Sequence, residues 1–263
     1  MTEAAVSSGA VESVFEQPLT ERMRIFLRLD FLYAQAVHHN GIGTPTGTRA
    51  AVASLLDIIS VMQRGDVRAD VLKELERNLN FLNDFQHRPG IDAALLRAAI
   101  TNLVRLRSEL SATSGNWLMP LRESEFLAAI KHRTAIPGGT CEFDLPDYSF
   151  WLNEPDDTRM ATFGSWLALL RPLCDSIAEL LWLMRQNGRA RAEVARGGVF
   201  NVNFDRDTPF QLLRIRLPPG SGLYPEVSGS HYRCSMRFME WRGIDQRPKQ
   251  TEADVPFTLV CCT

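Results

Sequence analysis

The residues best suited by type and spacing to do chemistry are arginines. In the run HYRCSMRFM (His231 to Met239), an extended chain puts Tyr232, Cys234, Met236 and Phe238 on one face and Arg233, Ser235 and Arg237 on the other. Within FQLLRIRL (Phe210 to Leu217), Leu213, Ile215 and Leu217 alternate in the same way against Arg214 and Arg216. If both apolar faces enter one core, up to four guanidinium groups share the opposite surface and repel one another unless anions or carboxylates lie close. Two readings stand. One is an ordinary wetted sheet face, whose exposed ion pairs contribute only ~0.2–1 kcal/mol each. The other is a cationic groove for an acidic peptide, because the planar guanidinium fork matches a carboxylate bidentately. Arg24 and Arg28, one helical turn apart, and Arg64 and Arg68, at a helix corner, extend such a groove if they lie nearby.

Other reactive residue types do not assemble into a recognisable centre. His38 and His39 are adjacent on a helix and face different ways, with no further ligand at metal spacing, so no metal is expected. The five cysteines form no C-x-x-C pair and read as free thiols, and Cys261 and Cys262 read as strand packing. The loop GIGTPTG (Gly41 to Gly47) lacks the preceding strand and the following Lys-Ser/Thr of a phosphate loop. No nucleophile elbow and no H-E-x-x-H appears, so no catalytic residue, no cofactor and no enzymatic activity are expected.

The elements that must position the arginines follow from periodicity. Hydrophobic side chains make up 45% of the 263 residues, enough for a substantial core. The formal net charge of -2 provides no general attraction to nucleic acid or anionic lipid, so any basic site is local. Trp166 to Met184 is apolar but broken by Arg171, Pro172, Asp175 and Glu179, which argues for a buried helix and against membrane insertion. The N-terminus carries no signal peptide pattern, which predicts a cytoplasmic protein.

Apolar spacing of three and four predicts an α+β fold with a mostly α-helical domain, a bundle over 15–133 and 156–190. In its first helix Met23, Phe26, Leu27 and Phe31 are expected to share a buried stripe. Pro172 either kinks the helix beginning at Asp156 or starts another. An antiparallel β-strand domain is predicted over 134–155 and 191–263, with CEFDLPDYSFWL (Cys141 to Leu152) read as strand from its alternating aromatics. Residues 1–14 read as a flexible arm.

Several long strings, FEQPLTERMRIFLRLDFL (Phe15 to Leu32), LLDIISVMQRGDVRADVLKELER (Leu55 to Arg77), IPGGTCEFDLP (Ile136 to Pro146), LYPEVSGSHYRCSMRFM (Leu223 to Met239) and the terminal FTLVCC, resemble the Z-ring-associated protein D (ZapD) family of cell-division proteins. The resemblance implies a helical domain joined to a β-strand domain, a homodimer, and binding to the C-terminal tail of the tubulin-like GTPase FtsZ. It implies cross-linking of FtsZ filaments into bundles, promoting Z-ring assembly at the midcell division ring. The family's binding surface corresponds here to Arg24, Arg64, Arg233 and Arg237, with Arg28, Arg68, Arg214 and Arg216 as further candidates. In its FDLP segment the family can carry a His where this chain has Ser149, and the loops 41–47 and 242–254 look long. The rival readings are a nucleic-acid-binding protein using the same arginines and an unrecognised hydrolase with a dispersed triad. The charge balance and the lack of an aromatic stacking platform weigh against the first.

Overall fold

The computed structural model describes residues 12–63, 65–85, 92–204, 210–230 and 232–263. In chain order the described elements are β1 (Ser13–Pro18), α1 (Glu21–Gly41), α2 (Pro45–Met62), α3 (Val67–Asp84), α4 (Ala93–Ala112), α5 (Met119–Arg122), α6 (Glu125–Thr134), α7 (Pro146–Leu152) and α8 (Asp156–Gln186). There follow β2 (Arg189–Ala195), β3 (Val199–Asn203), β4 (Leu212–Leu217), β5 (Leu223–Gly229), β6 (Arg233–Glu240), β7 (Lys249–Gln250) and β8 (Val255–Cys262). The fold is a mixed α+β one. It divides into two compact units, Ile25–Trp182 and the pair of segments Met1–Arg24 and Leu183–Thr263, so α1 and α8 each contribute residues to both.

Side-chain caps set the helix starts of the helical unit. Thr44, Asp66, Asp92 and Ser124 each accept a hydrogen bond from a backbone N–H two or three residues on, satisfying donors that the first turn leaves unpaired. In α1 the buried stripe is Met23, Phe26, Leu29 and Ala36, and Phe31 is 64% exposed. At about 100° per residue, Phe31 lies some 160° around the helix from Leu29, which takes it out of the stripe expected from the sequence.

Residues 141–152 are not strand. Pro146 opens α7 with its fixed φ in the first turn, where the missing N–H costs nothing. Tyr148 and Trp151, three apart, stack at 6.1 Å and meet Phe126 and Trp166, so the aromatics that mimic strand alternation pack at helical spacing. α8 runs unbroken through Pro172.

The glycine-rich loop before α2 closes on a protein cation. Arg159, 2% exposed, donates to the carbonyls of Gly43 (2.5 Å), Leu152 (3.0 Å) and Glu154 (2.7 Å), to Thr48 Oγ1 and to the Asp156 carboxylate (2.6 Å). A buried guanidinium is tolerated only when its donors are filled in this way.

The β-rich unit holds two antiparallel sheets, one in the order β1-β4-β8-β2 and one with β6 between β3 and β5, where β7 also pairs with β6. Both sheets send side chains into one core: Leu213, Ile215, Leu217, Phe257, Leu259 and Cys261 from the first, and Cys234, Met236 and Phe238 from the second. β1 lies where the sequence reading had a flexible arm and helix, and β2 straddles the boundary it set at 190–191 between the helical and β-strand segments. In β1, Phe15 opposite Ile215 packs on the core while Glu16 opposite Arg214 faces outward. β2 enters beside β8 at Gly188, where a Cβ would approach Val260 Cγ1 to 2.5 Å and Cys262 Sγ to 2.8 Å. A two-residue turn joins β2 to β3. Gly197 (φ +56°) and Gly198 (φ +73°) occupy its centre, a left-handed geometry that glycine adopts without strain.

Candidate functional site

The alternation in β6 holds from Arg233 onward. Cys234, Met236 and Phe238 are buried, and Arg233 and Arg237 are exposed on the outer face of their sheet. Tyr232, expected on the apolar face, precedes the strand and is 53% exposed. Strand register sets the surroundings. Arg233 lies opposite Asn203, Ser235 lies between Asn201 and Ser228, and Arg237 lies between Val199 and Glu226. Arg237 Nη2 pairs with Glu226 Oε2 at 3.2 Å on the wet surface. The Arg233 side chain has no ion pair or hydrogen-bond partner among the described residues, and it borders a cavity of about 530 Å³ lined in part by Asn201, Asn203, Ser228, Ser230 and Ser235. A trough of amides and hydroxyls beside one open guanidinium can accept a carboxylate while hydrogen-bonding the peptide that carries it.

The sequence places Arg214 and Arg216 with this pair, and the structure separates them. They stand on β4, in the other sheet, and because the two sheets enclose one core their outer faces look away from each other. The surface of four guanidiniums expected from alternation is therefore two surfaces of two. Arg214 is already engaged: its Nε lies 3.0 Å from Glu16 Oε1, and the same carboxylate accepts two 2.8 Å bonds from Arg185. Arg216 is half-buried, and its Nε has no hydrogen-bond partner.

Of the helical candidates, Arg24 is partly exposed in the first turn of α1, 3.6 Å from Glu21, and Arg28 is exposed one turn later. Arg64 lies outside the described residues. Arg68 closes a helix end: its Nε and Nη2 donate to the carbonyls of Leu110, Ser111 and Thr113 and to Thr113 Oγ1, where α4 leaves its last acceptors unpaired. Ser149 sits within α7. Among the described residues no group of three or more His, Cys, Asp or Glu side chains is placed to hold a metal.

A sequence profile of the cell-division protein ZapD matches residues 27–237. The chain belongs to the ZapD family. ZapD of Methylococcus capsulatus is 38% identical over 249 residues, 95% of this chain and 97% of that protein. ZapD of Aromatoleum aromaticum is 35% identical over 249 residues, covering 95% and 96%. That of Yersinia pseudotuberculosis is 34% identical over the same length, covering 95% and 97%. All three carry the name cell division protein, and this chain, as a member of their family, has a role in cell division. The ZapD profile spans every arginine considered above except Arg24, which stands just before it. No helix among the described residues is long and apolar enough to cross a membrane.

Reasoning from the sequence missed Asn201, Asn203 and Glu226. The first two were visible as the polar members of VFNVNF, but their neighbourhood with Arg233 depends on which strand flanks β6.

Proposed function

We propose that this protein is a non-enzymatic cytoplasmic adaptor that binds the C-terminal tail of FtsZ at the division ring and, as a homodimer, cross-links FtsZ filaments into bundles. The observation that carries the reading is the outward-facing pair Arg233 and Arg237 on β6, with the polar trough beside it, in a chain of the ZapD family. Arg24 and Arg64 add charge to the same task, and Arg28, Arg68, Arg214 and Arg216 are secondary contributors. An acidic tail is oriented by the guanidiniums and gains contact area from its apolar residues. One tail site per subunit only decorates a filament. A two-fold dimer presents two sites, and filaments displaying many tails convert weak contacts into avidity.

The test is sedimentation of polymerised FtsZ, with and without its C-terminal tail, together with this protein. Co-pelleting is expected only with the tail, and retained binding to tail-less filaments overturns the reading. Arg233→Glu with Arg237→Glu is expected to abolish co-pelleting while the melting temperature stays nearly unchanged, because exposed substitutions typically shift stability by less than about 0.5 kcal/mol. Unchanged pelleting removes these residues from the site.

A further inference from the structure

We propose that β2 is the edge through which two copies of this chain pair, antiparallel and centred on Ala192, joining two four-stranded sheets into one. The proposal rests on the homodimer in the reading above and names its interface.

β2 ends the sheet β1-β4-β8-β2, so one side of its backbone has no strand partner among the described residues. Such an edge is a template for another strand unless something blocks it. The other sheet ends are blunted. β1 finishes at Pro18, β5 contains Pro225, which offers no backbone donor, and the five-residue β3 carries no charge to set a register. β2 has seven residues, no proline, and exposed side chains from Arg189 to Ala192 and at Val194.

The sequence of that edge is complementary to itself. When Arg189–Ala195 is laid antiparallel on a copy about Ala192, Arg191 faces Glu193 of the second copy and Glu193 faces its Arg191. On the other face, Ala190 meets Val194 and Ala192 meets Ala192. Shifting the centre to Arg191 keeps Arg189 opposite Glu193 but sets Arg191 against itself, and shifting it to Glu193 sets that glutamate against itself and leaves Arg191 opposite Ala195. Within one copy Arg191 Nε lies 3.7 Å from Glu193 Oε1, so the two side chains share a face, and the cross-strand pairs exchange this contact for one with the second copy. Charges placed only to repel other strands would not alternate in sign about a two-fold point.

The full-length chain tests this in two ways. Arg191→Glu and Glu193→Arg, each alone, set like charges together at both ends of the interface. Each is expected to weaken the dimer about tenfold or more, read by sedimentation velocity across micromolar concentrations. The double exchange restores the opposite pairs and the wild-type dimer constant. Ala192→Cys faces its own mate at a Cα separation of about 4.5–5.5 Å, within disulfide range, and is expected to give a covalent dimer under mild oxidation that the wild type does not. Unaltered dimerisation of both single variants, or failure of Ala192→Cys to cross-link, overturns the interface while the dimer reading survives. A wild type that is monomeric at these concentrations overturns both. Tail-peptide binding should stay at the wild-type value in every variant, which keeps this result separate from the assignment of Arg233 and Arg237.

Discussion

Arg233 and Arg237 share a face but not an electrostatic situation. Arg237 spends part of its field on Glu226, whereas Arg233 looks into a trough of neutral amides and hydroxyls. An incoming carboxylate must compete with Glu226 at one position and meets no competitor at the other. Because the Arg237–Glu226 pair is 60% and 46% exposed, it is a weak competitor worth at most about 1 kcal/mol. Glu226→Gln is therefore expected to tighten binding of an acidic tail peptide about two- to fivefold in a calorimetric titration at low salt, with the gain shrinking as salt rises. A weakened or unaltered affinity would show that Arg237 does not engage the tail. The alternation of β6 was legible from residue types alone, since Cys, Met and Phe against Arg, Ser and Arg admit one orientation on a half-buried strand. The competitor was not, because Glu226 reaches Arg237 only through the β5–β6 register.

Among the elements, the helices were the most legible, because caps and apolar spacing act within a few residues of one another. Reading failed where local pattern and packing disagree. The aromatics before Leu152 imitate strand alternation, yet Pro146 starts a helix and the rings close on Phe126 and Trp166. β2 was missed because RARAEVA is poor in β-branched residues, and it is a strand only because β8 pairs with all seven of its residues. The segment 41–47, whose glycines resemble a phosphate loop and which reads as a long loop, is helix at both ends, and the short connection 42–44 between α1 and α2 is held by Arg159 from α8. Arg159→Met would leave three carbonyls without their donor, and the expected loss is about 3 kcal/mol or more in urea unfolding. A loss under 1 kcal/mol would mean that water replaces the guanidinium readily.

At the scale of the whole molecule, the β-rich unit buries thiols as ordinary core groups. Burial pushes Cys234 and Cys262 up to about 11 from an ordinary value near 9. Folding therefore favours the protonated thiols. The stability they contribute is complete below pH 9 and is lost as the pH rises through 11. The urea midpoint should fall between pH 9 and 11, and Cys234→Ala with Cys262→Ala should flatten that fall. An identical slope in the variant would assign it to other groups, foremost the thiols of Cys174 and Cys261, which burial also pushes up from near 9, and then Tyr33 and Tyr148 at about 12.

The sequence alone determined the α+β class, the start of α8 at Asp156, the inward and outward faces of β4 and β6, and the membership of the ZapD family. Each depends on near neighbours in the chain or on whole strings of residues. Only the tertiary structure decided that β4 and β6 lie in opposite sheets, so that four arginines alike in sequence became two pairs facing apart. It also decided that Arg214 is engaged by Glu16 and Arg68 by the end of α4, and that β2 is left as an open edge. Side-chain alternation specifies which face of a strand is apolar and carries no information about which sheet the strand joins. That choice is made by register and by the shared core, through partners tens to hundreds of residues away.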